Sequence, residues 1–95
     1  MAKSIIQNEK RCFVTYSTTG LHKHHIFKGA NRNNSEKYGC WVWLRYDWHN
    51  GADYGVHGKN GHALDIRLKQ IAQEKFEEKY SHELFMQVFK RNYLE

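Results

Sequence analysis

The stretch Leu21-His22-Lys23-His24-His25-Ile26-Phe27 decides how the chain is read, because it alternates well enough for a strand and ends on two adjacent histidines followed by apolar residues. Upstream, residues 12–16 are β-branched and aromatic, and Ser17-Thr18-Thr19-Gly20 reads as a turn, so a hairpin of residues 12–16 with residues 21–27 is expected. Downstream, residues 29–37 read as a polar, Asn-rich loop, and residues 38–46 as a strand through Trp41, Val42, Trp43 and Leu44. Residues 50–61 hold four glycines and read as loop. From residue 63 to 80, Leu64, Leu68, Ile71, Ala72 and Phe76 recur at helical spacing, and Ser81 is placed to cap a second helix with the stripe Leu84, Phe85, Val88 and Phe89. Residues 1–11, polar apart from Ile5 and Ile6, read as a leader able to add an edge strand. The expected fold class is α+β: one domain with a leader (1–11), a hairpin-plus-helix core (12–62) and C-terminal helices (63–95).

Ninety-five residues build one core and not two. The longest apolar run, residues 41–44, is far below the roughly 20 residues that span a bilayer, so neither membrane insertion nor a signal peptide is expected. The net charge of +5 is unevenly placed: residues 1–62 carry nine Lys/Arg against four Asp/Glu, and residues 63–95 carry six against six. A basic face of that size suits a partner bearing phosphates. Cys12 and Cys40 can pair only if the fold brings them together, and reduced thiols in a cytoplasm are the expectation.

Six of the seven histidines, His22, His24, His25, His49, His57 and His62, fall between residues 22 and 62. Neighbours on a strand point to opposite faces, so His24 and His25 share a site only where the strand ends. An end-of-strand pair can supply one metal ligand and one base. That division is what metal-assisted phosphodiester hydrolysis needs, with imidazoles holding a divalent ion and a neutral imidazole deprotonating water.

Residues 21–27, Gly29-Ala30-Asn31-Arg32, Ser35-Glu36-Lys37-Tyr38-Gly39, His49-Asn50, Gly55-Val56-His57, Leu64-Asp65, residues 68–73 and Arg91-Asn92-Tyr93-Leu94, taken in order, resemble the phage-type HNH endonucleases of the ββα-metal superfold. The likeness runs from about Cys12 to the C-terminus, and its most specific part is the His-His dyad followed by His-Asn. It implies a small ββα-metal core with C-terminal helices, His25 as general base, and His24 and His49 as ligands of one divalent ion (Mg, Mn, Ni or Zn). His57 would be a further ligand or phosphate contact, and Asp53 could reach the same ion from a helical turn. Arg32, Lys37, Lys28 and Arg45 would be DNA phosphate contacts. The implied activity is a metal-dependent DNA endonuclease or nickase of phage or prophage origin, working in the host cytoplasm. The alternative is a noncatalytic relative that binds DNA or a host protein and blocks a nucleic-acid enzyme or defence complex.

The family's two CxxC knuckles, which hold a structural zinc, are degenerate here. Cys12 is followed by Thr15 where a second thiol is expected, and Arg45 and Trp48 stand in the other knuckle. No Cys₄ zinc is therefore expected, with Trp41, Trp43, Tyr46 and Trp48 offering apolar packing in its place. The family's central asparagine is also missing from residues 40–44, so Asn31, Asn33, Asn34 or a backbone carbonyl is expected to orient His25. A histidine site of purely structural purpose is a third reading of the same cluster.

Overall fold

Strand β1 (Leu21–His25) pairs antiparallel with β2 (Trp41–Arg45) in the computed structural model, which describes residues 3–95. The register sets His22 opposite Leu44, Lys23 opposite Trp43, His24 opposite Val42 and His25 opposite Trp41. Opposed residues share a face and alternate along the strand. His22 and His24 therefore lie with the fully buried Val42 and Leu44, while Lys23 and His25 lie with the two tryptophans.

The partner of β1 is thus residues 41–45 and not residues 12–16 as expected. The Cys12 N–H donates to the Ser17 carbonyl and the Tyr16 N–H to the Cys12 carbonyl, both at 2.8 Å, and Tyr16 takes the left-handed φ of 65°. That geometry closes a turn and ends any extended run. The apolar character of this segment goes into packing instead: Cys12 is fully buried, and the Phe13 N–H caps the outer edge of β2 at the Trp43 carbonyl (2.8 Å). The leader finishes the same edge with side chains. Ser4 Oγ donates to the Trp41 carbonyl at 2.6 Å, and the Trp43 N–H donates to Gln7 Oε1 at 2.7 Å, so the edge is covered without a third strand.

The expected loop at residues 29–37 is a second correction. A 3₁₀ turn (Gly29–Asn31) leads into helix α1 (Arg32–Tyr38). Its propensity is poor, but its hold is tertiary. The buried Ser35 hydroxyl accepts from the Phe27 N–H (3.0 Å) and donates to the Phe27 carbonyl (2.8 Å), fastening α1 to the chain leaving β1. Gly39, at φ 72°, ends the helix with its N–H on the Ser35 carbonyl, and a Cβ there would collide with the Lys3 carbonyl.

Helices α2 (His62–Lys79) and α3 (His82–Phe89) follow the expected spacing, and Ser81 Oγ caps α3 by accepting from the Leu84 N–H at 3.0 Å. They bury Leu68, Ala72, Phe76, Phe85 and Phe89 against a core that includes Ile26, Phe27, Val42 and Leu44. Phe27 stacks on Phe89 at 4.3 Å between ring centroids, which ties the end of β1 directly to α3. The buried Gln73 on α2 accepts from the Tyr93 N–H and donates to Asn92 Oδ1, both at 2.8 Å, holding the tail against α2. The molecule is a small α+β protein with a two-stranded antiparallel sheet, and both cysteines are free and buried. Ser35→Ala orphans a buried N–H and carbonyl at Phe27 and is expected to lower stability by about 2–3 kcal/mol in urea unfolding; a loss within about 0.5 kcal/mol of zero, the scatter of ordinary surface changes, would show that α1 is held by other means.

Candidate metal centre

Three segments bring imidazoles to one place. His24 projects from the core face of β1 and is 1% exposed. After β2 the chain makes a π-helical turn (Asp47–Gly51) carrying His49. Arg45 pins that turn by donating from Nε to Asp47 Oδ1 (2.6 Å) and from Nη2 to Oδ2 (2.8 Å), and Tyr54 Oη donates to Oδ2 at 2.6 Å. The following loop folds back, with the Val56 N–H on the Trp48 carbonyl (2.7 Å) and the His57 N–H on the His49 carbonyl (3.0 Å). Gly61 makes the fold-back possible, since a Cβ there would overlap the Gly55 carbonyl.

His24, His49 and His57 each offer a ring nitrogen, and these nitrogens all lie within 4.8 Å of one another. Their centroids are 4.8–5.3 Å apart. Buried His24 Nε2 has no hydrogen-bond partner among the described residues, an arrangement that costs free energy unless something accepts or ligates there. Burial, then the neighbouring His49, His57 and Lys28 charges, hold the His24 imidazolium down to about 3. Burial, with His57, His22 and Lys28, takes His49 down to about 4. His57 is lowered too, by burial and then Lys28, with Asp65 opposing. All three are neutral near pH 7, the state a metal needs, so the group could hold a metal ion. Asp53 is exposed and outside the group.

A cleft of about 300 Å³ opens over these rings and is completed by Lys23, His25, Lys28 and Arg32. Lys28 Nζ lies 3.1 Å from His57 Nδ1 and 3.7 Å from Asp65 Oδ1. Arg32 and Glu36, one turn apart on α1, both act on His25, and Glu36 Oε1 sits 3.6 Å from His25 Nε2. Burial and then Arg32 lower His25 below the ordinary histidine range, with Glu36 pulling the other way. Of the expected phosphate contacts, Lys28 and Arg32 line the cleft. Lys37 and Arg45 do not line it: Lys37 Nζ lies over the Tyr38 ring at 5.3 Å, and Arg45 is committed to Asp47.

Two further residues bear on the centre. Glu36, and not Asn31, Asn33 or Asn34, is the side chain found beside His25 Nε2; Asn34 donates to Asn31 Oδ1 at 3.3 Å. Reading residues 32–38 as a helix would have exposed the Arg32/Glu36 pair. His22 Nδ1 lies 3.1 Å from His49 Nδ1, on the same strand face as His24, which period-two spacing alone suggests. No known protein family, curated protein or solved structure matches the chain.

Unfolded, His24 and His49 protonate near the ordinary 6.5, whereas folded they stay neutral down to about 3 and 4. The unfolded chain therefore binds more protons in that window, so stability is full above about 6.5 and falls as pH drops toward 4. Thermal melts from pH 7 to 4 are expected to show this fall, made shallower by His49→Asn; a wild-type melting temperature flat across the range would contradict it.

Proposed function

We propose that this chain is a metal-dependent DNA endonuclease or nickase with an HNH-like, ββα-metal centre. The observation carrying the reading is the juxtaposition, in one cleft, of three neutral imidazoles able to ligate with a fourth, His25, that is not among them, beside the cations Lys28 and Arg32. His25 stands at the last position of β1, so its side chain leaves the sheet on the face opposite His24 yet still borders the same cleft. A proton on His25 Nε2, directed at Glu36, leaves the Nδ1 lone pair free to take a proton from an attacking water. Arg32 and Lys28 offer charge-assisted contacts to the non-bridging oxygens of the phosphodiester. His57 Nδ1 holds one partner at a time, so ligation through that nitrogen releases Lys28 for the phosphate.

A bound divalent cation supplies Lewis acidity to a phosphate oxygen and stabilises the leaving alkoxide. An all-imidazole set favours nickel or zinc over magnesium or manganese, whose preferred ligands are oxygens. At the degenerate knuckles, the Thr15 N–H donates to the Cys12 sulfur at 3.5 Å, and Arg45 pairs with Asp47.

Supercoiled plasmid is expected to be nicked with nickel or zinc and protected by EDTA. His25→Ala should cut the rate by about 100-fold or more while leaving nickel binding by calorimetry in place. Metal-replete wild type that binds nickel yet leaves plasmid intact would favour the noncatalytic binding protein. Glu36→Gln removes the charge that raises His25, so the acid limb of the pH–rate profile is expected to move to lower pH; an unmoved limb would separate Glu36 from the base.

A further inference from the structure

The other face of the sheet carries a second cleft. Trp41 and Trp43 stand edge to face, 5.5 Å between centroids, with Lys23 Nζ over Trp41 at 4.2 Å and Lys10 Nζ over Trp43 at 4.7 Å. The leader supplies the opposite wall through Lys3, Ser4 and Gln7, enclosing about 710 Å³. Three lysines and one carboxylate, Glu9, line it. Trp41 is 8% exposed and forms the floor of the cleft, while Trp43 is only partly buried. Lys23 lines both this cleft and the histidine cleft, and His25 lies directly across the strands from Trp41.

We propose that the Trp41/Trp43 cleft binds an unpaired DNA strand next to the phosphate held in the histidine cleft. The proposal rests on the nuclease reading for its choice of DNA and for the direction in which the strand runs. The Trp43 face under exposed Lys10, with the Lys3 and Lys23 ammonium groups beside it, matches the alternation of a single strand, with flat bases to stack and phosphates between them. Exposed Lys10 leaves the Trp43 face for a phosphate as a base takes its place. A duplex keeps its base faces stacked inside the helix and has none to offer, so the cleft discriminates strand from duplex. The shared Lys23 makes the track continuous around the end of β1, where the metal ligands and His25 meet.

The test is the anisotropy of a fluorescein-labelled oligothymidylate titrated with the full chain in EDTA, which reads binding apart from any metal-dependent cleavage. Saturable binding is expected, weakening as salt rises, with a blunt duplex of the same length bound at least about tenfold more weakly. Trp43→Leu and the exposed Lys10→Glu should each weaken binding, the first by about tenfold, with circular dichroism and nickel binding unchanged. Should Trp43→Leu fail to fold, Lys10→Glu decides. Equal or tighter binding of the duplex, or wild-type affinity in Lys10→Glu, would overturn the proposal. Strand binding without plasmid cleavage would defeat the nuclease reading alone, and cleavage without strand preference would defeat the cleft alone.

Discussion

The pairing register of Leu21–His25 with Trp41–Arg45 is the constraint on which the rest of the molecule depends. A slip of one residue would exchange the faces of every side chain on β1, turning His24 outward and driving His25 into the core. A two-stranded sheet is too small to hold a register by itself, and this one is fastened at both ends. The Ile26 N–H meets the Cys40 carbonyl at 3.1 Å, and the Tyr46 N–H meets the Gly20 carbonyl at 2.9 Å. Ser35 then locks the backbone of Phe27, and the leader and Phe13 cover the free edge of β2. A buried histidine whose Nε2 has no partner among the described residues is thus kept in place by apolar and backbone contacts made elsewhere, among them the stack of Phe27 on Phe89.

The helices were legible because their signal is local. Apolar spacing over residues 63–80 and a serine cap at residue 81 carry the same information in the sequence as in the fold. Tertiary contacts decided what was misread. Residues 12–16 have strand-like composition, yet the left-handed Tyr16 and the Cys12–Ser17 bond close them into a turn, and their apolar side chains are used for packing. Residues 32–38 have little helix propensity, and α1 exists because a single buried hydroxyl satisfies Phe27 and a glycine can take the left-handed conformation at residue 39. The histidine grouping was visible from residue type and order. The Glu36–His25 contact was not, because it needs α1 to exist first.

Charge explains why the histidine centre is made as it is. Lys28, Arg32 and Lys23 gather around the imidazoles, and their field adds to burial in keeping the rings neutral. The same field opposes a cation, and the group contains no carboxylate to compensate for it. Asp65 and Glu36 stand one step back: Asp65 between Lys28 and Lys69, Glu36 between Lys23 and His25. They moderate the positive potential without ligating. A dication held only by neutral nitrogens keeps its full charge, and every anion entering the cleft then meets that charge together with the lysine and arginine heads. By linkage, the anion must strengthen metal binding by the same factor that the metal strengthens anion binding. Under the proposed function, a phosphodiester would complete this centre electrostatically, in a way that a carboxylate-rich site, already neutralised by its own ligands, would not require.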